Sequence, residues 1–585
     1  MASQKQDSVI RTALAIAAVL ATHAVSAQTA ADWQLLERAR THAPHPTSTA
    51  ISEEDLKTRL FLFADDSMQG RLLGEPGNVK GTAYIASELK RLGLEAAGEN
   101  GGYFQLVPVV ERSLDEHAPL RVGDLALEPW KDFVARDQGA GARSIDGVPV
   151  VFAGVWGDAT LMIPRASAEG KVVLLAAKAT ETGGATPGVP ARPQVAAYFA
   201  NAAAIVVVAL DTIPPPLLAQ FREPVSGMRD ERPVATPQYV YITRRVARAM
   251  LGGDLAAAKP GATGVPFTGN IVFAEKPIEN PARNVVGILR GSDPVLRNEY
   301  VAIGAHNDHI GMISPPIAHD SAYVLNHLFR EQGADSDEPK LTEQDYARVN
   351  AILAEIRRKT NGASARLDSV SNGADDDGSG TVSVLELAEY FAGQRARPKR
   401  SLLFVWHVGE EEGLFGSVYF TDHPTVPRDS IVAQLNIDMI GRGDAGDVTG
   451  DTKDGKHIHG NPDYLQLVGS RRNSTELGDL AEKVNREKKH GLAFDYSLDA
   501  DGHPQNIYCR SDHYSYARYG IPIVFFTTGG HVDYHQVTDE PQYIDYAHMT
   551  RVVNYIRDLV IEVANLDHRP LVDKPKPDPN GRCRQ

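Results

Sequence analysis

Residues 372–386 read N-G-A-D-D-D-G-S-G-T-V-S-V-L-E, and the meaning of this stretch decides how the rest of the chain is read. Counted from Asp375, Gly380 falls at position six and Glu386 at position twelve, the spacing of an EF-hand calcium loop. An EF-hand needs an amphipathic helix running straight into that first aspartate. Residues 367–374 (LDSVSNGA) contain Asn372-Gly373 instead and read as a loop, and a partner hand is missing. The other reading makes the stretch a tight loop that opens a helix at Gly380 and lends one carboxylate to a site built elsewhere in the chain.

The surrounding sequence favours the second reading. After Arg283, near-continuous apolar runs recur at 285–289, 300–305, 402–406, 431–437 and 521–526. Runs of this kind are buried on both faces, so the fold class is α/β, a mixed, largely parallel sheet sandwiched by helices. Helical spacing at 380–391 and 546–564 supplies covering layers. In such folds ligands collect at the carboxyl ends of the strands.

Those ends are rich in metal-binding residue types. The run at 300–305 leads into His306-Asn307-Asp308-His309, and 402–406 into His407 and then Glu410-Glu411-Glu412. Asp438 follows 431–437, and Asp533-Tyr534-His535 follows 521–526. Singly, each is an ordinary structural histidine, cap or solvated acidic turn. Jointly, they deliver imidazoles and carboxylates to one crevice, an arrangement that is costly without a cation. Two His with three carboxylates suit zinc-like ions, whereas calcium prefers oxygen alone. A two-ion site needs a bridging carboxylate and about two further ligands per ion. The set provides one His and one acid for each, with an Asp between, and an adjacent Glu can accept a proton.

The remaining sequence organises around this domain. Residues 53–111 read as helix, turn, helix and extended chain. Residues 115–278 form a small β-rich insert with short apolar runs at 148–152, 172–176, 204–209, 239–242 and 271–273, a helix near 194–203, and Pro214-Pro215-Pro216 in a loop. The main domain is thus discontinuous, 28–114 and 279–570, with a polar tail at 571–585. Residues 313–371, helical at 343–359, read as an insertion over the strand ends that caps the crevice.

With 585 residues and a net charge of −15, the chain is multidomain and has no electrostatic footprint for nucleic acid or an anionic membrane. Lys5 and Arg11, the apolar residues 13–21 and Val25-Ser26-Ala27 make residues 1–27 a signal peptide, so the mature chain is expected to be periplasmic or extracellular. No other segment is apolar enough to span a membrane. The two cysteines form no metal or redox motif, and a Cys509–Cys583 bridge tying down the tail is left open.

The motifs G-A-H-N-D-H (304–309), G-A-D-D-D-G-S-G (373–380), G-E-E-E-G-L-F-G-S (409–417), N-I-D-M-I-G (436–441) and D-Y-H-Q-V-T-D (533–539) occur in the order of a known family. The chain resembles the co-catalytic zinc exopeptidases, which include secreted bacterial leucyl-type aminopeptidases, glutamate carboxypeptidase, glutaminyl cyclase and the non-enzymatic transferrin receptor. The insert at 115–278 resembles a protease-associated domain. The resemblance implies two zinc ions per chain, one held by His306 and Asp438, the other by Glu411 and His535, with Asp376 bridging. It implies Glu410 as general base, Asp308 as the carboxylate orienting His306, and Tyr534 as a hydrogen-bond donor to the developing oxyanion. Glu411/Glu412 is the alternative frame, disfavoured because Gly413-Leu414 fixes the family spacing on Glu410/Glu411. Ser511-Asp512-His513 is expected to give structural support. The implied activity is removal of N-terminal residues from peptides with a free N-terminus. Carboxypeptidase, glutaminyl cyclase and receptor-like readings are the alternatives.

Overall fold

The computed structural model describes residues 36, 38–135, 143–177, 192–229, 237–359, 366–581 and 583–585. The signal segment expected at 1–27 lies outside the described residues. The chain divides into two compact units, one made of Met1–Val107 with Asn280–Gln585, the other of Pro108–Glu279.

The larger unit is built on one mixed sheet. Its strands are β1 (Glu95–Ala96), β2 (Phe104–Leu106), β3 (Arg283–Leu289), β4 (Tyr300–His306), β5 (Ser401–His407), β6 (Ile431–Ile437), β7 (Tyr464–Val468), β8 (Ala493–Asp495) and β9 (Ile523–Thr527). They lie in the order β1-β3-β5-β4-β6-β9-β7-β8, with β2 also paired to β3. The four central strands β5, β4, β6 and β9 run parallel. Antiparallel neighbours flank them through β3 and β7. Every residue of β4, β5 and β6 is buried, which is why these runs show no polar alternation.

Helices α1 (Glu53–Phe63), α2 (Pro76–Arg91), α3 (Gly380–Gly393) and α4 (Tyr546–Asn565) supply much of the covering. Leu56, Leu60, Leu385, Val552 and Ile556 join Val301, Phe404 and Leu435 in the principal apolar core. Ser52 caps α1 by accepting from Asp55 N–H, and Pro76 at the first helical position starts α2. Residue Glu386, position twelve of the EF-hand reading, sits inside α3, where its carboxylate accepts from Arg59 Nε at 3.0 Å.

The segment after His309 folds within this unit. Strands Met312–Ala318 and Leu367–Val370 pair antiparallel and lead into helices His319–Phe329 and Glu343–Lys359. Tyr323, Val324, Val349, Leu353 and Ile356 form their own apolar cluster with Leu36 and Tyr543. Cys509 and Cys583 are joined as a disulfide.

The second unit has a six-stranded sheet in which Val150–Trp156, Val172–Ala177, Ala204–Val208 and Gln238–Ile242 run parallel. It starts at Pro108, earlier than 115, because Val109–Leu114 pairs with both Val225–Met228 and Phe273–Pro277. Pro215 opens a helix, Pro215–Arg222, so the proline run is not wholly loop.

Two histidines beside the sheet are held uncharged. Burial pushes His407 down to about 3, aided by the nearby His306, and pushes His513 down to about 3 as well. His407 Nε2 accepts from Tyr516 O–H at 3.1 Å, and His513 stacks on Phe525 at 4.6 Å. A histidine whose folded pKa lies below its unfolded value near 6.5 stabilises the fold above pH 6.5, and this is lost as pH falls through the folded value. His513→Phe keeps the stacking and removes the titration. Urea denaturation at successive pH values should show the limb between pH 6.5 and 3 flattened by up to about 1.4 kcal/mol per pH unit.

Candidate metal centre

The loop at 372–380 is the hub. Gly373 has φ 52°, and a Cβ there would come within 2.2 Å of the Asp376 carbonyl oxygen and 2.5 Å of the His309 ring, so glycine is required. The loop is tied down on every side. Asp377 accepts from His306 N–H (3.0 Å), Gly380 N–H (2.9 Å) and Met439 N–H (3.3 Å), linking the ends of β4, α3 and β6. Asp375 accepts from Gly441 N–H at 2.7 Å. Asp539 accepts from the N–H groups of Asp375 and Asp376. Buried Arg71 donates to the carbonyls of Phe63 (3.2 Å), Asn372 (2.6 Å) and Gly373 (2.9 Å).

Held this way, Asp376 faces two groups of donors. Its Oδ1 lies 3.1 Å from His306 Nε2, which is itself 3.7 Å from Asp438 Oδ1. Its Oδ2 lies 2.9 Å from His535 Nε2, which is 2.9 Å from Glu411 Oε2. His306, Asp376 and Asp438 place ligand atoms within 4.8 Å of one another, and so do His309, Asp376, Glu411 and His535. All five expected ligands are therefore brought together, and Asp376 belongs to both groups.

The sixth member, His309, was not singled out from the sequence. Its Nδ1 is 2.7 Å from Glu411 Oε1 and 3.9 Å from Asp376 Oδ2. The signal available was its spacing, three residues after His306 at the same strand end.

Asp308 acts differently from expectation. His306 Nδ1 bonds the Asp308 backbone carbonyl at 3.2 Å, while the carboxylate stands 3.8 Å away and accepts from Glu410 N–H at 3.3 Å. Because the chain turns immediately after β4, the carbonyl reaches the imidazole first. Ser511 orients Asp438, donating to Oδ2 at 2.7 Å and accepting from Asn436 Nδ2 at 3.0 Å.

The electrostatics divide the acids. For Asp376, burial would raise the pKa, but the facing imidazoles of His306 and His535 outweigh it and hold the carboxyl well below its usual range. Glu411 is held at about 2, its burial and the nearby Asp376 being overcome by His309 and His535. Burial pushes Glu410 well above the usual range against the pull of His306, with Asp438 and Glu411 adding to the rise. Burial, and then Asp376, keep the Tyr534 phenol protonated despite Arg510, whose Nη2 donates to Tyr534 Oη at 3.2 Å.

Asp376, Glu410, Glu411, Asp438 and Tyr534 line one pocket. Its apolar wall includes Met439, Leu498, Ile507 and Phe525, and the turn after helix His319–Phe329 contributes Gln332 and Asp335. Ala334 N–H donates to the Tyr534 carbonyl at 3.0 Å, and Asp335 pairs with Arg510 at 3.2 Å. His535 and Met439 have φ of 55° and 61°, both left-handed.

The donors fit zinc. They are imidazoles and carboxylates in two groups sharing one aspartate, the pattern of paired zinc ions. His535 Nε2 stands close to two carboxylates yet makes no hydrogen bond, as a nitrogen aimed at an ion would.

A mixed sheet with two imidazole–carboxylate groups at one edge suits zinc-dependent chemistry. Residues 352–560, about a third of the chain, match Peptidase family M28. The match contains Asp376, Glu410, Glu411, Asp438 and His535, while His306 precedes it. Leucine aminopeptidase 1 of Coccidioides posadasii (strain C735) is 35% identical over 158 residues, 26% of this chain and 36% of the fungal protein. Leupeptin-inactivating enzyme 1 of Streptomyces exfoliatus is 42% identical over 82 residues, 14% of this chain and 19% of that protein. The chain thus spans about a third or less of the length of these curated relatives. Among solved structures, an aminopeptidase from Aneurinibacillus sp. strain AM-1 aligns over 90% of this chain and 97% of its own, with 16% identity and a TM-score of 0.45.

Arg71→Met should remove a donor from three buried carbonyls, of which Gly373 O keeps only the Gly378 N–H. The expected loss is about 3 kcal/mol or more in unfolding free energy, read by urea denaturation.

Proposed function

We propose that the chain is an exported metallo-aminopeptidase that removes N-terminal residues from peptides by means of two zinc ions. The observation that carries this reading is the pair of donor groups sharing Asp376. Zinc held by His306, Asp376 and Asp438 on one side, and by Asp376, Glu411 and His535 on the other, would supply Lewis acidity to the scissile carbonyl and acidify the attacking water. Glu410 accepts that water's proton and returns it to the leaving amine. It lines the same pocket as Asp376, Glu411 and Asp438, within reach of both halves of the transfer. The Tyr534 hydroxyl, kept protonated, donates to the carbonyl oxygen as negative charge builds there.

The acidic crevice favours a substrate with a free ammonium group. The wall of Met439, Leu498, Ile507 and Phe525 favours a bulky apolar first side chain. Export is supported by the N-terminal pattern and by the Cys509–Cys583 disulfide, a bond typical of oxidising compartments. No helix among the described residues is long and apolar enough to cross a membrane.

One observation favours carboxypeptidase action as a second reading. Arg510 lines the pocket and could meet a terminal carboxylate. It is already engaged by Asp335 and Tyr534, so the aminopeptidase reading is preferred. A glutaminyl cyclase, which needs one ion, leaves the second donor group unused.

Glu410→Gln should keep its zinc by elemental analysis and lose about 100-fold or more in kcat on leucyl-nitroanilide. Near wild-type turnover would remove Glu410 from the mechanism. The unmodified protein should cleave leucyl substrates on the order of 10–100-fold better in kcat/KM than aspartyl ones. It should also ignore N-acetylated peptides; cleavage of these from the carboxyl end would establish the carboxypeptidase reading.

A further inference from the structure

The two donor groups are unequal. One offers three ligand atoms, from His306, Asp376 and Asp438; the other offers four, from His309, Asp376, Glu411 and His535. The difference is His309. Its ring is completely buried, packed against Gly373 and edge-on to the His535 ring at 5.5 Å. Its Nδ1 approaches Glu411 Oε1 at 2.7 Å, much as His306 approaches Asp376 at 3.1 Å and His535 approaches Asp376 and Glu411 at 2.9 Å. His309, through Nδ1, thus meets the same carboxylate pair, Glu411 and Asp376, that His535 meets through Nε2, and the chain ties His309 down. His309 N–H donates to the Arg71 carbonyl at 3.2 Å, so the residue is pinned to the same arginine that fixes the Asp376 loop.

We infer that His309 is a protein ligand to the ion held by Glu411 and His535, making the two zinc sites inequivalent, one closed by four protein ligands and one open with three. The inference rests on the two-zinc reading. Four protein ligands are the signature of zinc sites that retain their ion, whereas three with an open position mark the site where water and substrate enter. The ion at His306 and Asp438 is then the exchangeable one and the ion at His309 the resident one. The nearest rival role for His309 is a hydrogen bond from Nδ1–H that merely orients Glu411.

A His309→Asn variant separates these roles, because the amide still donates to Glu411 but is a poor zinc ligand. Zinc is titrated into the metal-free protein against a chromophoric chelator, with folding checked by circular dichroism. The wild type should bind one zinc at least about 100-fold more tightly than the second, and His309→Asn should shrink that gap below about 10-fold by weakening the tight site. A gap unchanged in His309→Asn assigns His309 to orientation and overturns the inference. Two zinc ions of equal affinity in the wild type also overturn it while leaving the two-zinc reading intact, and a wild type that binds fewer than two ions sinks that reading itself. If the variant does not fold, cobalt titration of the wild type decides. The first equivalent should give the intense visible band of four-coordinate cobalt and the second a weaker one, and identical spectra for both contradict the inference.

Discussion

Four carboxylates, Asp376, Glu410, Glu411 and Asp438, converge on one pocket, and the imidazoles of His306, His309 and His535 stand against three of them, Asp376, Glu411 and Asp438. That constraint shapes the surrounding structure. Elsewhere this chain buries acids beside a guanidinium. Arg59 answers Glu386, Glu389 and Glu88; Arg442 answers Asp533 and Asp447; Arg366 answers Asp368 and Glu540. The last case is instructive, because His319, Asp368 and Glu540 also form a metal-like group, and there Arg366 pairs with both carboxylates. In the crevice the compensation is left to imidazoles and whatever ion they share, since uncompensated buried charge is not tolerated.

A site with this much like charge has to be held by its frame. The frame here is mostly backbone hydrogen bonding to acids that touch no ligand atom. Asp377 gathers three N–H groups from the ends of β4, α3 and β6, and Asp539 and Asp375 stitch the loop to the segments on either side. Arg71 closes the loop from beneath through carbonyls alone. The parallel centre of the sheet makes this feasible, because β4, β5, β6 and β9 all release their carboxyl ends at the same edge.

Much of this was legible in the sequence. Unbroken apolar runs announced a sheet buried on both faces, and the residues just beyond His306, Ile437 and Thr527 carried the donors that the fold then assembles. Within the 372–386 stretch Glu386 turns inward to Arg59, Asp376 faces His306 and His535, and Asp375 lies 3.4 Å from His531. What was not legible is instructive for the same physical reason. The roles of Asp375 and Asp377 belong here, because they accept from backbone groups 62 to 71 residues away. His309 looked like a neighbour of a ligand, because whether a side chain after a strand end turns into the crevice depends on the local turn. The Asp308 carbonyl reaches His306 before its carboxylate does, a choice of backbone path that residue types do not encode.

The central claim is that two ions share Asp376. Anomalous diffraction from crystals of the zinc-loaded protein, collected on both sides of the zinc absorption edge, tests it directly. Two peaks are predicted, one among His306, Asp376 and Asp438 and one among Asp376, Glu411 and His535, separated by roughly 3.5–4 Å. A single peak, or two peaks that do not both touch Asp376, would contradict the account.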